Sequence, residues 1–159
     1  MDQVDKKILE ELQKNGRMSN VELAKKCNLA PSSMLARVRR LDKGEGGKGI
    51  ITSYRAIISP KAVGYNVQAL IMVNLDQHQL KSIASFEESI TSIPEVKTGY
   101  RVTGQYDYVL HAVLRDIDHL DEFVKTKLAS IPGMGRQETF IIFSSVKEDE
   151  GLSLDYVKC

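Results

Sequence analysis

The sequence predicts an α+β chain: an N-terminal winged helix-turn-helix followed by a ferredoxin-like βαββαβ sandwich. Three observations carry that expectation. Within the first 42 residues, three short helical patterns follow one another across tight turns. From residue 67 onward the apolar periodicity reads strand, helix, strand, strand, helix, strand. The charge is also divided, since residues 1–64 hold 13 Lys+Arg against 7 Asp+Glu, net +6, while residues 65–159 hold 9 against 14, net −5. The whole-chain charge of +1 hides this asymmetry. A basic first half suits docking on phosphate and an acidic second half does not. The expected organisation is therefore a helix-turn-helix unit over residues 1–60, a linker over 61–66, a sandwich over 67–146 and a tail over 147–159.

In the first half, Val4, Ile8, Leu9 and Leu12 form a helical stripe that stops at Asn15-Gly16. Ser19-Asn20-Val21-Glu22 reads as a capping box, in which the Ser oxygen and the Glu carboxylate satisfy the orphan N–H groups that open a helix. That helix runs through Leu23 and Ala24 to Cys27, and Asn28 supplies a left-handed stop. Pro31 suits the first position of a third helix, because its φ is already helical and its missing donor would be unpaired there. Along this third helix Met34, Leu35, Val38 and Leu41 form an apolar stripe, and Ser33, Ala36, Arg37 and Arg40 fall on the other side. A small, hydroxyl-bearing, basic surface is what a helix in the DNA major groove needs, and Ser32, Ser33, Arg37, Arg39 and Arg40 are the candidate contacts. The alternative is an amphipathic helix with a solvated basic face. The run Lys43-Gly44-Glu45-Gly46-Gly47-Lys48-Gly49 is too rich in glycine for a helix and precedes a strand-like run over residues 50–58. Together these read as a wing offering Lys43 and Lys48 to phosphates.

In the second half, Pro60, Gly64 and Asn66 punctuate a connection, after which Val67, Ala69, Ile71, Val73 and Leu75 alternate as a strand. Residues 80–90 have helical spacing with Ile83, Phe86 and Ile90 on one side. Residues 96–103 and 106–114 read as strands, 117–128 as a helix and 139–146 as the last strand. A weak repeat supports two strand-helix-strand halves, since Ser92-Ile93-Pro94-Glu95-Val96 and Ser130-Ile131-Pro132-Gly133-Met134 occupy matching positions. Helices on one face leave the other sheet face bare, carrying Leu70, Met72, and Ile141 or Phe143 depending on register. An apolar bare face predicts a homodimer. Two recognition helices related by a two-fold axis then imply a palindromic double-stranded DNA operator.

A second chemical site is expected at Val102-Thr103-Gly104-Gln105-Tyr106-Asp107-Tyr108. One reading is a tight hairpin turn with Gly104 at its first central position and Asp107 at its end. The other is a ligand loop in which Gly104 lets a small molecule approach the backbone, N–H groups hold a carboxylate, and Asp107 faces an ammonium. A free amino acid carries both charges.

The segments from Asp5 to Leu9, from Asn15-Gly16-Arg17 to Ala24, Leu29-Ala30-Pro31-Ser32-Ser33 and Arg37-Val38-Arg39-Arg40-Leu41 resemble the DNA-binding half of the leucine-responsive/asparagine-linked (Lrp/AsnC) family of transcriptional regulators, and the later segments resemble it too. Ala30 stands where the family usually places a Ser or Asp helix cap, Met34 where many members carry Cys, and the wing is longer and richer in glycine. The resemblance implies an amino-acid effector contacting Thr103, Gly104, Gln105, Tyr106 and Asp107, with a strand near Gln137 to Thr139 completing the pocket. It also implies assembly of dimers into octamers.

At 159 residues and 42% hydrophobic content the chain can bury an ordinary core or two small ones. No apolar run approaches the ~20 residues that span a bilayer, and the N-terminus lacks a signal-peptide pattern, so a cytoplasmic, non-membrane protein is expected. Of the two cysteines, Cys27 falls on an apolar helix side and Cys159 at the terminus, with no metal-binding spacing. His78, His111 and His119 are scattered, and no phosphate loop, nucleophile elbow or metal motif is present, so neither enzyme activity nor a cofactor is expected. Two alternatives remain. Haem-pathway (siroheme) decarboxylases share the two-part architecture and would need His111, Arg101 and Arg115 around a tetrapyrrole, while an architectural protein would wrap DNA with little sequence choice.

Overall fold

The structure, a computed structural model, describes residues 1–43, 49–76, 80–149 and 151–157. The wing residues Gly44, Gly46, Gly47 and Lys48, together with His78 and Cys159, lie outside the described residues. The chain forms two compact units, one of Met1–Ile57 with Lys147–Cys159 and one of Ile58–Val146. The expected tail thus folds with the first unit. The Gln13 amide donates to the Leu152 carbonyl at 3.1 Å and accepts its N–H at 2.6 Å, while Leu154 packs on the first core.

Three helices build that unit: α1 (Gln3–Lys14), α2 (Asn20–Cys27) and α3 (Pro31–Lys43). Ser19 and Glu22 close the expected capping box, and Asn28 ends α2 at φ 54°, ψ 49°. The core is Ile8, Leu9, Leu23, Ala24, Cys27, Met34 and Leu41. Cys27 is buried, and burial pushes its thiol pKa up. Ile8, Leu23 and Met34 are at most 1% exposed, and each contributes about 1.5–3 kcal/mol by leaving water. Ala30 carries the carbonyl that accepts the first α3 bond, from Met34 N–H at 3.0 Å, but has no side-chain oxygen for the other orphan donors. Ala30→Ser is expected to stabilise the protein by about 1 kcal/mol, read as a shifted denaturant midpoint with unchanged slope.

Residues 50–58 form no strand, contrary to the periodicity. A strand needs a partner ladder, and the described tie of this segment to α3 is Ile51 N–H to the Leu41 carbonyl at 3.0 Å with Tyr54 Oη donating to Asp42 at 3.0 Å. Gly49 enters the segment where a Cβ would stand 1.9 Å from the Asp42 carbonyl oxygen, so no larger residue fits.

The second unit is a four-stranded antiparallel sheet, order β2-β3-β1-β4, from β1 (Val67–Leu75), β2 (Val96–Arg101), β3 (Tyr108–Leu114) and β4 (Met134–Ile141). With α4 (Leu80–Thr91) after β1 and α5 (Ile117–Glu122) after β3, this is the predicted βαββαβ order. The last helix widens into a π-helical turn over Phe123–Leu128. Val67, Ala69, Ile71, Val73 and Leu75 are buried against Phe86, Leu120, Phe123 and Leu128.

β4 begins five residues before the expected position and stops at Ile141. Its partner β1 starts at Val67, so after Ile142 N–H donates to the Gln68 carbonyl at 2.9 Å the described ladder ends. Register also corrects the bare face. Phe140 stands opposite Leu70 and shares that face with Met72, whereas Ile141 stands opposite Ala69 on the helix side; Phe143 lies beyond the strand.

Candidate nucleic-acid interface and effector loop

Successive α-helical residues advance by ~100°, so one buried seam settles the orientation of all of α3. Met34 is 0% and Leu41 2% exposed, with Val38 half-buried beside them. Diametrically opposite lie Ser32, Ala36, Arg39 and Lys43, spaced i, i+4, i+7, i+11 and all exposed. Ser33 is exposed at the edge of this stripe. Leu35, expected in the apolar stripe, lies a quarter-turn from Met34 and is 38% exposed.

The outward face expected from the sequence is corrected most at Arg37. Its Nη1 donates to Asp2 Oδ2 at 2.7 Å and to Asp5 Oδ1 at 2.8 Å, leaving the side chain 28% exposed. Arg40 donates from Nη2 to Asp5 Oδ2 at 2.6 Å, yet its side chain remains 55% exposed. Asp5, with a side chain 1% exposed, thus accepts from two guanidiniums and from the Asp2 N–H at 3.0 Å. Asp2 caps α1 in return, accepting the Asp5 N–H at 2.8 Å. The Asp5 N–H and then the Arg37 guanidinium hold the Asp2 carboxyl down at about 2, while Asp2 and then Asp5 push the Arg37 pKa up. Among the described residues neither Arg39 nor Lys43 has an acidic partner. Both acids escaped sequence reasoning, although Asp2-x-x-Asp5 before an apolar run is itself a helix-start signal.

The loop expected to hold an effector spans residues 102–107, closed by Val102 N–H donating to the Asp107 carbonyl at 2.9 Å. Gly104 sits at its tip with φ 126°, a conformation that side-chain-bearing residues rarely adopt. Asn74 Nδ2 donates to the Gln105 carbonyl at 2.8 Å. Asp107 turns toward its own sheet: its N–H donates to the Val73 carbonyl at 2.9 Å and its Oδ2 accepts the Leu75 N–H at 2.9 Å. Both groups lie on the β3 side of β1, at and just past the Val73–Tyr108 pair where the β1–β3 ladder ends. Asp107 therefore stitches the loop to the end of β1, and the expected ammonium-facing carboxylate has a backbone donor already. Asp107→Ala is expected to destabilise the protein by about 1–3 kcal/mol by orphaning the Leu75 N–H, measured by denaturant unfolding.

The carboxylate brought to this loop is Glu138, whose Oε2 accepts from the Tyr106 hydroxyl at 2.7 Å and whose other oxygen meets Arg136. That hydrogen bond and then burial push the Tyr106 pKa up. Glu138 stands opposite Met72, while Thr139 stands opposite Ile71 and so faces the other side of the sheet, away from Tyr106. Glu138 lies inside the expected segment Gln137 to Thr139, and strand alternation singles it out as the residue of that segment on the Tyr106 side.

The decarboxylase alternative loses its basis. His111 lies on the bare face opposite Leu70, with Nε2 3.0 Å from Gln68 Oε1, and burial pulls its pKa down. Arg101 is on the opposite face beside Tyr108. Arg115 follows β3 and donates from Nε to His119 Nδ1 at 3.5 Å. His119 in turn stands 3.5 Å from Glu95, a buried carboxylate that also accepts from Lys127 at 2.5 Å. Burial alone raises Glu95, but Lys127, a backbone donor and His119 outweigh it and hold the carboxyl below its usual range. Among the described residues no cluster of His, Cys, Asp or Glu could hold a metal ion, and no helix is long and apolar enough to cross a membrane.

Known families match both units. The AsnC-type helix-turn-helix domain matches residues 1–42 and the Lrp/AsnC ligand binding domain residues 68–152. The chain is 34% identical over 155 residues to the transcriptional regulator AzlB of Bacillus subtilis, covering 98% of this chain and 96% of that one. It is 31% identical over 154 residues to the leucine-responsive regulatory protein of Haemophilus influenzae, covering 97% and 90%. A transcriptional regulator from Neisseria meningitidis, solved in complex with L-Met, superimposes with a TM-score of 0.93 at 32% identity over 99% of each chain.

Proposed function

This chain belongs to the Lrp/AsnC family of transcriptional regulators, and from that premise we propose that it is a cytoplasmic, homodimeric, sequence-specific DNA-binding regulator whose assembly or DNA affinity responds to an amino acid. The observation that carries the reading is the exposed stripe of α3: Ser32, Ala36, Arg39 and Lys43, with no acid paired to either cation among the described residues. Small residues at its start let the backbone approach base edges, Ser32 and Ser33 offer hydroxyls, and Arg39 and Lys43 reach phosphate or guanine. Arg40 adds a guanidinium pinned on one side by Asp5 and more than half exposed on the other. Arg37 serves the fold and only secondarily the DNA.

The dimer follows from the bare sheet face, where Leu70, Met72 and the 49% exposed Phe140 form an apolar surface. Octamers are the further assembly step. Two α3 helices about a two-fold axis read half-sites about one helical turn apart, or multiples of it, on a palindromic operator. Arg39, Arg40 and Lys43 give Z of ~6 per dimer, so log K against log salt is expected to fall with a slope of about −5. A slope near zero contradicts DNA binding.

For the effector, the positive-φ tip at Gly104 with the N–H of Gln105 suits a carboxylate, and the Tyr106–Glu138 pair suits an ammonium. Thr103 and Asp107 support that loop, whereas Thr139 is reached only across the strand. The similar Neisseria regulator bound to L-Met supports an amino acid as the ligand class. A typical coupling of about 1–3 kcal/mol changes DNA affinity roughly 5–150-fold. A thermal-shift screen of the amino acids tests this, since a ligand of the native state raises the melting temperature; no shift with any of them contradicts the effector assignment.

A further inference from the structure

Between α4 and the edge strand β2 the second unit has an open groove of about 430 Å³, within the range of small-molecule sites. Its floor is apolar: Phe86, Ile90 and Leu110 line it, and all three are buried. Pairing with β3 puts Gly99 opposite Leu110 and Arg101 opposite Tyr108, so the α4-facing side of β2 presents a glycine and then an arginine.

Gly99 does not have the positive φ that demands glycine. What it supplies is space. A Cβ there would stand 3.3 Å from Leu110 Cδ2 and 3.7 Å from Ile90 Cγ2, filling the gap above the floor. Glycine weakens a strand interior and often marks the close approach of a ligand or another backbone.

The rim is charged. Lys97 and Arg101 stand against one carboxylate, Glu87. Glu87 Oε1 is occupied by the Tyr108 hydroxyl at 2.7 Å, and the Tyr108 ring packs on Phe86 with centroids 4.7 Å apart. The Lys97 ammonium donates to the Pro94 carbonyl at 2.7 Å. Among the described residues the exposed Arg101 guanidinium has no hydrogen-bond partner. Two cations against one partly satisfied anion favour an anion over a zwitterion, and guanidinium geometry favours a carboxylate.

We propose that this groove binds a small monocarboxylate with an apolar tail, its head on Arg101 and its tail on Phe86, Ile90 and Leu110. The site is distinct from loop 102–107 and independent of the amino-acid reading of that loop.

Calorimetry of the full chain with hexanoate, hexylamine and leucine tests the assignment, with amide chemical shifts to locate binding. Hexanoate is expected to bind saturably, with a negative heat-capacity change, and to perturb Ile90 and Gly99, while hexylamine does not bind. Arg101→Gln, an exposed change that leaves the core intact, is expected to weaken hexanoate about tenfold or more. Gly99→Val is expected to abolish binding by filling the groove. No hexanoate binding, equal binding of hexylamine, or unchanged affinity in Arg101→Gln overturns the proposal. So does leucine displacing hexanoate from the same amides, which makes the groove the amino-acid site. Concentration-dependent protection of the β2 amides in ligand-free protein also overturns it, since a second copy then occupies the edge.

Discussion

Asp5→Ala is expected to destabilise the three-helix unit by about 3 kcal/mol, the low end for breaking a buried ion pair. The low end applies because Arg40 is 55% exposed and its share is screened, whereas Arg37, at 28%, is left with Asp2 alone. The α1 N-terminus also loses the carboxylate that accepts the Asp2 N–H. For a unit of this size the melting temperature should fall by about 12–24 °C, with faster hydrogen exchange in α1 and α3. Asp5→Asn should cost about half as much, because its amide oxygen can still accept one of these bonds. The released Arg40 guanidinium should raise non-specific DNA affinity and steepen its salt dependence even as stability falls. An unchanged melting temperature means that the cluster contributes nothing to holding α3 on α1.

The second large effect is expected from Ala36→Glu. Ala36 is exposed at the centre of the stripe bounded by Ser32, Arg39 and Lys43, so a carboxylate there faces base edges and phosphates while touching nothing in the core. Juxtaposed like charges cost several kcal/mol, and the change enters twice in a dimer, so operator affinity should drop by at least about a hundredfold. Unfolding free energy should stay within about 0.5 kcal/mol of its original value, as for surface substitutions generally. Arg39→Ala is the milder companion, flattening the salt slope by about one for each phosphate that is no longer neutralised. If Ala36→Glu binds the operator normally, α3 does not enter the groove by this face, whatever the role of Arg39.

The two substitutions separate functions that one helix carries side by side. Helical spacing alone puts Arg37 and Arg40 on a single outward face with Ser33 and Ala36. In the structure Asp2 and Asp5 draw the Arg37 edge inward, and the outward centre shifts to Ser32, Ala36, Arg39 and Lys43. Net charge told the sign of the surface correctly but not which cations are available, because an acid on α1 and a base on α3 are separated by more than thirty residues.

What the amino-acid order determined by itself is what depends on neighbours three or four residues apart. The Ser19–Glu22 capping box, the left-handed Asn28 and the helix-opening Pro31 each close their own hydrogen bonds or set their own dihedrals. The alternation along β1 likewise announces its buried face. Tertiary structure alone decided where distant partners come to rest. It paired Arg37 with Asp5, placed Phe140 rather than Ile141 beside Leu70, and gave the Asp107 carboxylate a backbone donor on β1. It also left the last strand short, because the strand it pairs with had ended. A helix cap is satisfied within one turn, but a register or an ion pair between elements is fixed only when packing selects one alignment among several with similar local preferences.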